Sequence, residues 1–162
     1  MNKKIELIRQ TLSQAELLLQ LAEEANELAI ATMNIKNSFS TDNHNNFIEE
    51  IADVKLCMDA VGDYLDGSTV SLQFDSKNKL YKSIIMESCN VSKAAIKFRR
   101  TIEPKASPTP VLKREAESIF SRRINDLAAY LYIAGYWTSD EVMKIYKEKL
   151  DRWVNRLEIT KG

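Results

Sequence analysis

Glu23, Glu24 and Glu27 form an EExxE string, and Glu49, Glu50 and Asp53 follow after a polar stretch. At about 100° per residue, the first three fall within one arc of a helix, and Glu50 and Asp53 share a face of the next. Like charges three or four residues apart repel by a few tenths of a kcal/mol per pair. Their helical neighbours are apolar: Leu21, Ala22, Ala25 and Leu28 on one side, Ile48, Ile51, Ala52 and Val54 on the other. Carboxylates this close to a bundle core need compensation. No Lys or Arg lies between Arg9 and Lys36 to provide it within the first segment. A divalent cation is the cheapest remedy, and converging carboxylates without a soft ligand suit Mg²⁺, with Mn²⁺ able to substitute. A single EExxE string is usually a solvated face. Two acidic strings on adjacent predicted helices, joined by a loop of hairpin length, are harder to read that way.

Other chemistries are poorly supplied. His44 is the only histidine, and Cys57 and Cys89 show no metal-ligand spacing, so zinc sites and Cys–His or Ser–His catalysis are disfavoured. The cysteines read as small buried groups in a reducing compartment. MNKKIELIRQTL has no apolar run of signal-peptide type, and no segment reaches the length of a membrane span. The expectation is a cytoplasmic protein with no membrane partner. The 23 basic and 23 acidic residues cancel, which argues against nucleic acid as a partner.

The elements that must position these acids read as helices. All three Pro lie between Pro104 and Pro110 and only four Gly occur in 162 residues, which disfavours turn-rich β folds. Apolar spacing predicts a long helix over 5–36, a polar loop over 37–46 and a second helix over 47–65, capped by Gly67. Residues 68–79 read as a connector. Helices over 80–102 and 110–134 flank a loop, with Thr109 as N-cap, Pro110 at the first helical position and Gly135 closing the second. TSDE at 138–141 has the capping-box pattern and opens a helix ending near Leu157. The predicted class is all-α, a bundle of about five helices in a single domain over 1–162.

The stretches QLAEEANELAIATMNIK and NFIEEIADVKLCMDAV resemble the MazG-like, all-α nucleoside triphosphate pyrophosphohydrolases, a superfamily that includes dimeric dUTPases, dCTP pyrophosphatases and phosphoribosyl-ATP pyrophosphohydrolases. The shared motif is EExxE, a loop, then ExxD, and the match covers residues 18–62. The resemblance implies Mg²⁺-dependent hydrolysis of a nucleoside triphosphate to the monophosphate and pyrophosphate, in a homodimer. It implies Glu24, Glu27, Glu50 and Asp53 as metal ligands, with Glu23 and Glu24 in the catalytic step and Glu23 an auxiliary ligand or orienting the attacking water. A phosphoribosyl-ATP hydrolase is the weaker variant, since such domains are typically shorter.

The second half, 80–158, reads as a degenerate repeat of the metal-binding hairpin in 1–67. IIMESCNVSKAAIKF aligns Glu87 with Glu24 and Asn90 with Glu27; RINDLAAYLYIAG aligns Arg123 with Glu50 and Asp126 with Asp53. Two of four carboxylates are thereby lost. Asn90, Lys93, Lys97, Arg122 or Arg123 could then face phosphates. YKEKLDRWVNRLE resembles the basic tail that follows ExxD in MazG domains, which makes Lys147 and Lys149 further phosphate candidates. The alternative for that helix is a solvated face with Trp153 and Leu157 buried. Tyr64, Phe74, Tyr81, Tyr130, Tyr132, Tyr136 and Trp137 could stack on a base, although aromatics at helical spacing are more often core. Residues 16–66 carry a net −9 and residues 67–162 a net +7, so neutrality conceals two opposed fields. The competing reading of the whole chain is a non-catalytic helical interaction protein, or an inactive superfamily member, whose acids bind a basic partner.

Overall fold

The computed structural model describes residues 2–62, 74–103, 105 and 107–161. It is all-helical over these residues, with α1 (Asn2–Thr11), α2 (Gln14–Asn37), α3 (Thr41–Val61), α4 (Lys77–Ile102), α5 (Pro110–Ile133) and α6 (Asp140–Lys161). The helices form a packed bundle. α2 lies at its centre, against α3 on one side and α4 on the other; α5 packs on α4, α6 packs on α3, and α1 touches both α3 and α6. No helix among the described residues is long and apolar enough to cross a membrane.

Several predicted boundaries move, and hydrogen bonding explains two of them. The helix expected over 5–36 is broken after Thr11. Ser13 adopts an extended backbone (φ −69°, ψ 154°) and forms a capping box with Glu16: the Glu16 amide donates to Ser13 Oγ at 3.2 Å, and the Ser13 amide donates to Glu16 Oε2 at 2.8 Å. Apolar periodicity continues across this break, so spacing alone hides it. The loop expected over 37–46 shrinks to Ser38–Ser40. Ser40 caps α3 by accepting from the Asn43 amide at 3.0 Å, and Asn43 Nδ2 donates back to the Ser38 carbonyl at 2.6 Å. The polar run after Ser40 is therefore the solvent-facing start of a helix.

α3 ends at Val61 with Gly62 as its cap, earlier than the predicted 65; Gly67 and the connector up to Gln73 lie outside the described residues. Thr109 caps α5 as predicted, accepting from the Leu112 amide at 3.2 Å, with Pro110 in the first turn. Gly135 closes α5 at φ +81°, in the left-handed region where a side chain would be strained. Ser139, not Thr138, caps α6, accepting from the Val142 amide at 3.2 Å, and α6 continues to Lys161. The bundle therefore has six described helices rather than five.

The core runs through every helix. Ile8, Leu18, Leu21, Leu28, Phe47, Ile51, Met58, Ile84, Leu127, Leu131, Trp137 and Tyr146 are among its largest fully buried side chains. Ala25 and Ala52 are fully buried on α2 and α3. α2 and α3 pack directly on each other, and small buried residues allow helices a close approach.

Candidate metal centre

The short Ser38–Ser40 turn folds α3 back along α2 and sets the EExxE string against ExxD. One carboxylate oxygen from each of Glu24, Glu27 and Glu50 lies within 4.8 Å of the others. Glu50 Oε2 is buried and has no hydrogen-bond partner. Such an atom is costly unless something else satisfies it. Burial, followed by repulsion from Asp53 and Glu27, raises the Glu24 carboxyl to about 7. Burial, then Asp53, Glu27 and Glu24, raises Glu50 to about 7 as well. The Lys149 charge only partly offsets this, no described residue forms an ion pair with the triad, and its donors are all hard oxygens, which fits Mg²⁺ or Mn²⁺.

Asp53, the fourth expected ligand, is engaged elsewhere. Lys149 on α6 pairs with it and also with Glu49 Oε1 at 2.9 Å. Even so, burial leaves the Asp53 carboxyl above its ordinary range. Cys57 lies beside these acids and is no soft ligand: burial, with Glu24 and Asp53 next, pushes its thiol far up, so it stays protonated.

The acids occupy one wall of a pocket of about 470 Å³. Its remaining lining is Gln20, Leu56, Arg152, Trp153, Arg156, Leu157 and Thr160. Arg152 and Arg156 stand one turn apart on α6 and make no ion pair with any described residue. Carboxylates and guanidinium groups lining one pocket suit a ligand that is itself anionic and holds or meets a cation.

The other residues singled out from the sequence lie elsewhere. Glu23 is exposed and acts on Glu24 only through its charge. Lys147 is exposed on α6, outside the pocket lining. Lys93 is exposed on α4, and Lys97 lines a separate apolar groove with Ala94, Thr101 and Leu112. Asn90 is close enough to Glu87 to hold its carboxyl down in part, and Arg123 Nη1 stands 3.9 Å from Glu87 Oε2. Asp126 is close enough to help burial raise the Glu87 carboxyl. The four positions aligned with the first-half acids thus gather between α4 and α5, with a guanidinium among them. They do not join the acidic pocket.

Tyr64 lies outside the described residues, and none of the other aromatics read as possible base platforms lines the pocket either. Tyr81 and Tyr136 pack edge-on against Phe47, Phe74 meets Tyr130, and Trp137 is buried beneath Lys55 Nζ at 4.2 Å. Trp153 lines it instead, only partly buried. Arg152, Trp153 and Arg156 were absent from the sequence-derived candidates. Their one available signal is spacing, since Lys149, Arg152/Trp153, Arg156 and Thr160 recur at helical period on one face of α6.

No family model matches the chain, and it matches no curated protein and no solved structure.

Proposed function

We propose that this chain is a Mg²⁺-dependent nucleoside triphosphate pyrophosphohydrolase of the MazG-like kind, acting in the cytoplasm as a homodimer. The reading rests on one observation above all: a convergent carboxylate triad and two arginines that pair with no described residue line the same pocket. It is supported by the EExxE and ExxD strings that supply the acids.

Glu24, Glu27 and Glu50 would hold the metal, with Asp53 available once Lys149 moves. Bound there, Mg²⁺ would neutralise charge on phosphate oxygens and make a bound water more acidic. Arg152 and Arg156 would bind phosphate oxygens in the forked geometry of guanidinium groups and fix the chain of phosphates along α6. Trp153, Leu56 and Leu157 offer the apolar wall. Water would add across the bridging P–O bond between the α and β phosphates, giving the monophosphate and pyrophosphate. The proton released would pass to a carboxylate of the cluster.

The two arginines weigh against the competing reading, because a basic partner would meet them as well as the acids. A panel of ribo- and deoxyribonucleoside triphosphates with Mg²⁺, read by pyrophosphate release, tests the proposal. Pyrophosphate and monophosphate in equal amounts from at least one nucleotide is expected. Orthophosphate alone, or no turnover across the panel, would overturn it. Sedimentation of the purified chain tests the dimer.

A further inference from the structure

We propose that Lys149 is a resident counter-cation that takes the place of a second divalent ion, so that the ligand-free site accepts one divalent ion only. The inference rests on the metal-centre reading above and goes beyond it by assigning the ion count and the residue that sets it.

The carboxylates divide into two groups. Glu24, Glu27 and Glu50 converge, and Lys149 acts on Glu24 and Glu50 through its charge without forming an ion pair with either. Asp53 and Glu49 are bridged by the Lys149 ammonium. Lys149 and Asp53 keep only 16% and 19% of their side-chain surface exposed, so little water screens this pair. A second dication at Asp53 would have to occupy the space the ammonium holds.

Charge gives the same count. Five carboxylates line the pocket, Glu24, Glu27, Glu49, Glu50 and Asp53, with Lys149, Arg152 and Arg156. The lining is therefore −2 when fully ionised, which one divalent ion cancels. A second would leave an uncompensated +2 in a half-buried pocket. Further ions must enter with an anionic ligand, or after the lysine has gone. The flexible four-carbon stem of Lys149 allows its ammonium to move from Asp53 to such an anion.

The test is a Mn²⁺ titration of the full chain without nucleotide, counting free Mn²⁺ by electron paramagnetic resonance. Wild type is expected to bind one ion, and Glu27→Gln to bind it much more weakly. Lys149→Met is expected to bind a second ion roughly tenfold or more tighter than wild type does. Lys149→Arg keeps the charge and stays at one, serving also as the folded control by circular dichroism. Lys149→Met combined with Asp53→Asn returns to one. If wild type already takes two ions, or Lys149→Met still takes one, the counter-cation role is wrong while the metal centre stands. If wild type takes none, or binding ignores Glu27→Gln, the metal centre itself fails and this inference with it.

Discussion

Glu27 and Asp53 are the residues on which the proposed chemistry turns most directly. Glu27→Gln or Asp53→Asn is expected to lower pyrophosphate release by at least about a hundredfold, since even outer-sphere partners of a metal cost tenfold to a hundredfold. Helical content should be unchanged. Arg152→Ala with Arg156→Ala should raise KM for the nucleotide while leaving Mn²⁺ affinity intact, because neither guanidinium touches the triad. Equal loss of Mn²⁺ binding in that variant would place the arginines in the wrong role. The raised carboxyls also set a pH dependence. Glu24 and Glu50 titrate near about 7 in the fold against an ordinary 4.5, so the metal-free folded chain binds more protons than the unfolded chain between those values. Stability of the metal-free protein should therefore fall as pH rises through that window and level off above it. Thermal midpoints measured from about pH 5 to about pH 8 check this. Glu24→Gln with Glu50→Gln should flatten the slope. Metal affinity should move the opposite way, rising as the same carboxyls ionise.

Among the helices, the break between α1 and α2 is the feature most open to a simple test. The Ser13–Glu16 capping box satisfies amides at the start of a 24-residue helix that carries half the acidic site. Ser13→Ala is expected to cost about 1 kcal/mol, a fall of roughly 2–4 °C in thermal midpoint for a chain of this size. An unchanged midpoint would mean that tertiary packing alone sets the start of α2. Much of the helix plan was legible beforehand. Thr109–Pro110, Gly135 and the TSDE string are local chemical signals, and each marks a boundary to within a residue or two. The misread boundaries arose where a local signal competed with a regional one. Continuous apolar spacing masked Ser13, and polar composition masked the helix that Ser40 begins.

Across the whole molecule, ion binding and folding are linked. Any divalent ion that binds the folded chain alone stabilises it by about 2.7 kcal/mol at a hundredfold excess over its Kd, or roughly 5–10 °C. Mg²⁺ or Mn²⁺ should therefore raise the thermal midpoint, and Glu27→Gln should abolish the rise. A shift of equal size in that variant would assign the ion to another place. The opposed charges of 16–66 and 67–162 meet at this pocket, since α6 brings Lys149, Arg152 and Arg156 over the acids of α2 and α3. The sequence by itself determined the all-helical class and placed the EExxE and ExxD acids each on one helix face, because helical period is a local property. Only the tertiary structure decided which cations face those acids. Asn90, Lys93, Lys97 and Arg123 were as plausible as Lys149 by composition, yet α4 and α5 turn their own cluster elsewhere. That choice depends on how helices distant in the chain pack, through buried contacts that no local pattern encodes.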